Sequence, residues 1–225
     1  MSRVTALTHT LIGKKVVMAT SGVVLLGFVF AHMAGNLKVF QGPEHFNAYA
    51  EGLRTVGAPF FGRGQLLWIA RLALIAAVVL HIGAAWLVTR ASWAARPTGY
   101  RSLRLIETTY AARTMRWGGI VILAFVIFHL LDLTFGPANP SFLPGNPYHN
   151  LIATFSRVPV ALAYMVAMGA LCLHLYHGIE SGCQTLGLNH PRYNAWRRRI
   201  ALGFSLVVAV GFVLVPVAVL AGVLR

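Results

Sequence analysis

The sequence predicts an all-α integral membrane protein, a five-helix transmembrane bundle formed by a single domain of 225 residues. Composition is the first observation behind this prediction: 57% of the residues are hydrophobic, 11% are charged, and the mean hydropathy is +0.69. Soluble domains carry about 25% charged residues. The second observation is that five apolar runs reach the ~20 residues that a helix needs to cross a bilayer. We therefore expect the chain to lie in a membrane.

The predicted spans follow one another along the chain and cover about residues 16–35, 66–89, 117–135, 158–183 and 200–224. The segment before the first span, MSRVTALTHTLIGKK, lacks the short apolar core and the small-residue cleavage site of a signal peptide. We therefore expect the first apolar run to be a span itself. An odd number of spans places the two termini on opposite sides of the membrane.

The connections between the spans differ in character. The first contains PEHFNAYAEGLRTV, whose periodicity is helical and whose Pro43 and Glu44 suit a first helical turn. The second is basic, and the third, with GPANPSFLPGNP, has the proline and glycine content of a loop. The sequence thus predicts an additional helix in the first connection.

Basic residues are divided unevenly between the two sides of the membrane. Counted by alternate segments, thirteen Lys and Arg residues share the side of the N-terminus, five lie on the other side, and Arg71 falls inside the second span. Because positively charged segments remain in the cytoplasm, we expect the N-terminus there and the C-terminus outside. The thirteen are Arg3, Lys14, Lys15, Arg90, Arg96, Arg101, Arg104, Arg113, Arg116, Arg192, Arg197, Arg198 and Arg199.

A net charge of +14 and a pI near 11.1 would also suit a protein that binds nucleic acid. Such a protein needs its basic residues together on a polar surface, whereas here they lie in the gaps between apolar runs. We therefore expect lipids, and no nucleic acid, among the partners. The cysteines, Cys172 and Cys183, form no CxxC or CxxCH motif, which excludes covalent haem and any metal cluster held by this chain alone. A redox group bound here must use histidine.

Four of the nine histidines lie inside four different spans, namely His32, His81, His129 and His174. An intramembrane imidazole normally faces the interior of a bundle and has a function, although a hydrogen bond to a neighbouring helix is the simpler explanation for any single one. At a rise of ~1.5 Å per residue, His32 lies ~24 Å and His129 ~18 Å from the cytoplasmic ends of their spans, both in the outer half.

The same count from the outer ends places His81 and His174 at matching depths toward the cytoplasmic side. Two pairs at two levels are what two six-coordinate b-type haems require, because each iron takes one axial imidazole from each of two facing helices. His177 follows His174 by three residues on the same face and is the alternative fourth ligand. If His177 is not a ligand, it is a candidate hydrogen-bond partner for a haem propionate or a quinone.

Several segments resemble one family when taken together in order: FAHMAGNLKVFQGPEHFNAYAEGLR, VVLHIGAAW, FVIFHLLDLTFG and LHLYHGIESGCQTLGLNHPRYN. They are similar to the membrane-anchor cytochrome b of succinate:quinone oxidoreductases, the single-chain, two-haem b558 type that also occurs in some fumarate reductases. The resemblance covers the first four spans. The family's fourth ligand stands in an H-x-x-x-G pattern, here His174 to Gly178.

The resemblance implies haem b pairs His32/His129 and His81/His174, with iron as the metal. It also implies a flavoprotein subunit and an iron–sulfur subunit, which catalyse succinate oxidation in the tricarboxylic acid cycle or fumarate reduction. These partners would dock on the cytoplasmic face of a bacterial-type membrane, on the basic second and fourth connections and the N-terminal tail. This chain would not act on succinate itself but would carry electrons between the iron–sulfur subunit and a quinone, commonly menaquinone. Whole complexes of this kind could form higher oligomers.

Residues near the outer haem are the candidates for binding a quinone or passing its protons. They are Glu44, His45, Tyr49, Glu51, Arg71 and Asp132. Two rival interpretations remain open. The chain could be the haem b anchor of another quinone-linked dehydrogenase, such as a hydrogenase or formate dehydrogenase, or a haem-free transporter or assembly protein whose histidines carry protons.

Overall fold

A computed structural model of the chain describes residues 10–95 and 110–225, with the backbone alone for residues 110–113. These residues form α-helices, one short 3-10 helix and turns, and they contain no strand. We number the α-helices in chain order. They are α1 (Leu11–Asn36), α2 (Pro43–Thr55), α3 (Gln65–Ala94), α4 (Tyr110–Leu133), α5 (Pro147–Phe155), α6 (Val158–Thr185) and α7 (Asn194–Leu220).

Within the described residues, five helices are long and apolar enough to cross a membrane: α1, α3, α4, α6 and α7. The prediction of an all-α fold with five possible membrane spans is therefore confirmed for the described residues. At most 33% of the residues in any of their apolar stretches are buried inside the protein. Most apolar side chains consequently face outward, where a bilayer would solvate them.

Several helix ends differ from the predicted spans. α4 ends at Leu133 instead of residue 135, because the chain turns at Gly136, whose φ of 93° lies in the left-handed region. α7 begins at Asn194 instead of residue 200, since the basic segment before the apolar run is itself helical. It ends at Leu220, shortly before Gly222, which has a φ of 72°. Hydropathy alone marks the apolar part of a helix and not its polar extensions.

The first connection contains the predicted helix, α2, which begins at Pro43. The third contains α5, a short helix that the sequence analysis did not predict because proline and glycine precede it. Asn146 caps α5, since its side chain accepts a hydrogen bond from the backbone N–H of His149 at 3.1 Å. Both α2 and α5 lie at the end of the bundle where α1 and α4 finish, and they pack against each other.

The spanning helices pack in a defined order. α1 contacts α3, α6 and α7, while α6 also contacts α4 and α7. One close approach joins α1 to α7, where Gly211 lies against the buried Met33. A buried cluster that includes Phe46, Leu151 and Tyr164 connects α2, α5 and α6. The result is a bundle that is closed at this end by two short helices.

The predicted docking surface is described only in part. Arg3, Arg96, Arg101 and Arg104 lie outside the described residues, as does the side chain of Arg113. At the start of α7, Arg197 donates hydrogen bonds back to the connection between α6 and α7, to the carbonyl oxygen of Leu188 and the side chain of Asn189. The side of the membrane on which each terminus lies stays a prediction.

Candidate functional site

His32 on α1 and His129 on α4 lie side by side, with 5.9 Å between their ring centres. Aromatic rings hold His32 in place: Phe28, one turn earlier on α1, stacks on it with 5.3 Å between ring centres and 14° between planes. Phe212 from α7 lies 5.9 Å away. Three helices thus define the position of this imidazole pair.

His81 on α3 and His174 on α6 form the second pair, with 6.1 Å between ring centres. Nδ1 of His81 lies 3.0 Å from the backbone carbonyl oxygen of Met18 on α1 and 3.5 Å from the Ser21 hydroxyl. A carbonyl oxygen only accepts, so Nδ1 of His81 carries the proton. The Nε2 nitrogen is then left with a free lone pair, the form in which imidazole binds a metal.

His129 has a comparable partner on its Nδ1 nitrogen. The Tyr164 hydroxyl lies 3.4 Å from it and also donates to Oδ2 of Asp132 at 3.2 Å. A hydroxyl has one proton, which here goes to the carboxylate, so its oxygen accepts from Nδ1 of His129. In contrast, the buried Nδ1 of His174 has no hydrogen-bond partner among the described residues.

The two pairs lie at different levels of the bundle. On α1, His32 follows Met18, the residue that contacts His81, by fourteen residues, or about 21 Å of helix. On α4, His129 follows Gly119 by ten residues, or about 15 Å, and Gly119 is the glycine beside His174. Both helices therefore give a separation that fits within the ~30 Å hydrocarbon core.

Small residues leave room around the His81/His174 pair. A Cβ atom on Gly22 would lie 3.3 Å from Cε1 of His81, and one on Gly119 would lie 3.9 Å from Cε1 of His174. A cavity of about 130 Å³ lies beside His174 between α4 and α6. Its lining consists of Thr114, Met115, Gly118, Ala170, Leu173 and His174. Space next to a partly buried imidazole is what a flat ligand requires.

The spacing of each pair fits one shared metal ion. Two imidazoles bound in trans, each with ~2 Å between nitrogen and metal, have ring centres about 6 Å apart. The observed separations are 5.9 and 6.1 Å. No group of three or more His, Cys, Asp or Glu side chains suited to a metal ion occurs among the described residues. A pair of histidines completes a metal's coordination when a macrocycle supplies the remaining ligands, as haem does.

His177 is half-buried one turn beyond His174 and makes no ring contact with another described residue. The ring that approaches His81 is that of His174. Glu180 follows one turn later; it is buried and ion-paired with Arg198, with 3.2 Å between Oε1 and Nε. Sequence analysis missed this acid, since it lies at the polar end of the span.

The quinone candidates on α2 are spread over its surface. Glu44 and His45 are exposed in the first turn, and Glu51 is exposed and forms ion pairs with Arg54 and Arg63. Tyr49 is closer to the bundle. A Cβ atom placed on Gly35, three residues after His32, would lie 2.7 Å from the Tyr49 hydroxyl.

Arg71 and Asp132 have different surroundings. Arg71 is exposed on α3, with its guanidinium 4.8 Å from the Trp68 ring centre. Asp132 is fully buried and forms an ion pair with Arg157, and it also accepts a hydrogen bond from Thr154 at 2.9 Å. Sequence analysis singled out Asp132 but missed the residues around it. The sequence signal that links Asp132 to His129 is their spacing of three residues, which places both on one helix face.

Comparison of the chain with protein-family models, curated proteins and solved structures finds no match.

Proposed function

We propose that this chain is a di-haem cytochrome b, the membrane anchor of a succinate dehydrogenase or fumarate reductase complex. In this role it passes electrons between an iron–sulfur subunit and a membrane quinone, with menaquinone the expected quinone. The main support is the arrangement of two imidazole pairs from four helices, with ring centres 5.9 and 6.1 Å apart. Each pair would hold one haem iron between its two imidazoles.

The hydrogen bonds of the histidines support the same proposal. Metal-binding histidines usually donate their second ring N–H to a carbonyl or carboxylate, which fixes the tautomer and the ring orientation. His81 donates to the Met18 carbonyl, and His129 donates to the Tyr164 hydroxyl. Both bonds leave Nε2 free for a metal. A proton-carrying histidine has no need of this pattern in two separate helix pairs.

When bound, the haems would supply one-electron iron couples at the two levels of the bundle. The chain's own residues would hold them: His32 and His129 at one level, His81 and His174 at the other. Phe28 and Phe212 pack against the His32 ring and would orient it. Two levels about 15 to 21 Å apart along the helices would carry charge across a large part of the bilayer. A full crossing is coupled to the membrane potential by ~2.3 kcal/mol per charge per 100 mV.

The described part of the basic surface suits a soluble partner. The segment that runs from the connection between α6 and α7 into the start of α7 carries Arg192, Arg197, Arg198 and Arg199 close together in sequence. It follows the end of α6 beyond His174, and hence the level of the His81/His174 pair. An iron–sulfur subunit docked there would lie close to a haem held by His81 and His174. The flavoprotein subunit would bind to the iron–sulfur subunit.

The quinone would bind at the opposite end, near His32 and His129. Tyr49 lies against Gly35, about one turn from His32, and is the phenol best placed to donate a hydrogen bond to a quinone oxygen. Glu44, His45 and Glu51 are the exposed titratable groups that could exchange protons with water, whereas the permanently charged Arg71 could only donate a hydrogen bond to the quinone.

A pyridine haemochrome assay on the detergent-purified complex tests the proposal. We expect two haem b per wild-type chain, one after His129→Ala, one after His174→Ala and none after the double substitution. His190→Ala is the matched control, because His190 is exposed in the connection between α6 and α7. It should retain both haems. A wild-type chain without haem would refute the proposal and favour a haem-free transporter.

The dehydrogenase partner is tested separately, by adding reductants to native membranes. Succinate should convert the haem of wild-type membranes to its reduced form, which is followed by the haem absorption spectrum. Membranes that lack this chain should lose that signal. Reduction by hydrogen or formate, and not by succinate, would instead identify the chain as the anchor of a hydrogenase or a formate dehydrogenase.

A further inference from the structure

Tyr164 connects His129 to a buried charge. Its ring is held among three phenylalanines, with ring centres 4.9 Å from Phe125, 6.1 Å from Phe128 and 5.0 Å from Phe155. Only 6% of the Tyr164 surface is exposed. Because the ring is confined by packing, its hydroxyl has a fixed position between Nδ1 of His129 and the Asp132 carboxylate.

The Asp132 carboxylate is held by further partners. Arg157, at the start of α6, forms an ion pair with Oδ1. The Thr154 hydroxyl donates to Oδ2 at 2.9 Å and in turn lies 3.3 Å from the Asn139 amide nitrogen. Asp132 itself has no exposed surface. A carboxylate with these partners is not open to a quinone. Its complete burial indicates a role inside the protein.

We propose that Tyr164 and Asp132 are positioning residues that orient His129 and raise its basicity as a metal ligand. The hydrogen bonds run in one direction, from Nδ1 of His129 to the Tyr164 oxygen and from the Tyr164 hydroxyl to Asp132. This order fixes the His129 tautomer and brings a negative charge to the far side of the imidazole. The inference rests on the proposed function, since it requires a metal at His129.

The two histidine pairs therefore differ in their second partners. His81 donates to a neutral backbone carbonyl, and Nδ1 of His174 has no partner among the described residues. Of these three histidines, His129 is the one that a carboxylate backs within the described part of the chain. A more basic imidazole stabilises the oxidised, more positive metal, so loss of the Tyr164 hydroxyl should move the potential at this level in the positive direction.

Redox titration of Tyr164→Phe against Tyr148→Phe tests the proposal. Both substitutions remove one buried hydroxyl and keep the ring, but the Tyr148 hydroxyl donates to the backbone oxygen of Arg225 at 3.1 Å. We expect one of the two haem transitions to shift to a more positive potential in Tyr164→Phe and neither to shift in Tyr148→Phe. Haem affinity at the His129 level should fall about 10-fold or more in Tyr164→Phe.

A double variant separates this proposal from a purely structural role. If Asp132 acts through Tyr164, Asp132→Asn combined with Arg157→Gln should shift the same transition in the same direction. Adding this pair of substitutions to Tyr164→Phe should produce no shift beyond that of Tyr164→Phe alone. The paired neutral substitutions leave no unpaired buried charge, so they also serve if Tyr164→Phe fails to accumulate.

The outcomes distinguish this proposal from the proposed function. A Tyr164→Phe protein with two haems and unchanged potentials would overturn the positioning role and leave the di-haem cytochrome intact. So would an additive shift in the triple variant, because it would show that Asp132 acts independently. A wild-type chain without haem would overturn both proposals.

Discussion

The backbone carbonyl oxygen of Met18 lies 3.0 Å from Nδ1 of His81, and this contact joins the first membrane-spanning helix to the second. The next turn of α1 passes directly over the same imidazole, since a Cβ atom on Gly22 would lie 3.3 Å from Cε1 of His81. One helix thus supplies both the hydrogen-bond acceptor and the space for this ring. The position of His81 depends on α1 as much as on its own helix.

Gly22→Val should displace His81 and lower the haem content at the His81/His174 level. The added side chain enters a space where even Cβ is tighter than ordinary van der Waals contact. The His32/His129 level should keep its haem, so the haemochrome assay should fall from two toward one per chain. Gly27→Val is the control, because no atom lies within 4 Å of a Cβ placed there. Equal losses in both variants would indicate a general effect on α1 instead.

His174→Ala should remove one haem, whereas His177→Ala should retain both. The reason is that the ring of His174 approaches His81 to 6.1 Å between centres, while His177 makes no such contact in the described part of the chain. Haem per chain, measured for the two variants side by side, checks this assignment. If His177→Ala lost the haem and His174→Ala kept it, the fourth ligand would have to be moved to His177.

Arg157→Ala should destabilise the protein by about 3–5 kcal/mol, because it leaves the Asp132 carboxylate buried without its counter-charge. The side chains of Arg157 and Asp132 are 29% and 0% exposed. Thermal unfolding in detergent, followed by size exclusion, measures the effect. Arg63→Ala removes an arginine from the exposed ion pair with Glu51 and should cost less than about 1 kcal/mol. Similar losses of stability in both variants would contradict the difference in burial.

Gly211→Leu should destabilise the packing of α7 on α1 by about 1–3 kcal/mol through overpacking. Gly211 lies against the side chain of Met33, which is 4% exposed. Gly203→Leu on the same helix is the control, since it meets no atom within 4 Å. Adding Met33→Ala should restore part of the stability lost in Gly211→Leu. Without such a recovery, steric conflict with Met33 could not be the cause.

The sequence alone predicted the spanning helices and the helix in the first connection. A helix that crosses a membrane must form its backbone hydrogen bonds internally and present apolar side chains. The local sequence therefore determines both its existence and its approximate length. The short helix α5 was missed, because the proline and glycine before it indicate a loop. Its cap, Asn146, acts through a side chain whose role depends on the local backbone geometry.

The pairing of the histidines by depth was also predicted from the sequence. Depth follows from counting residues along a straight helix, and the structure brings together the rings that the count had paired, His32 with His129 and His81 with His174. Their role as haem ligands stays a proposal. The count favoured His174 and kept His177 as the alternative, since it cannot tell which ring on one helix face approaches its neighbour.

Tertiary structure alone decided what surrounds each histidine. Tyr164 and Arg157 lie 35 and 25 residues from their partners His129 and Asp132 in the chain, so no local pattern links them. Their contacts depend on how far α4 and α6 are rotated about their axes and on the path of the third connection. The sequence determines that histidines are present at two depths, because hydropathy and helical rise are local properties. Packing between helices determines which nitrogen of each ring is free, because that depends on neighbours distant in the chain.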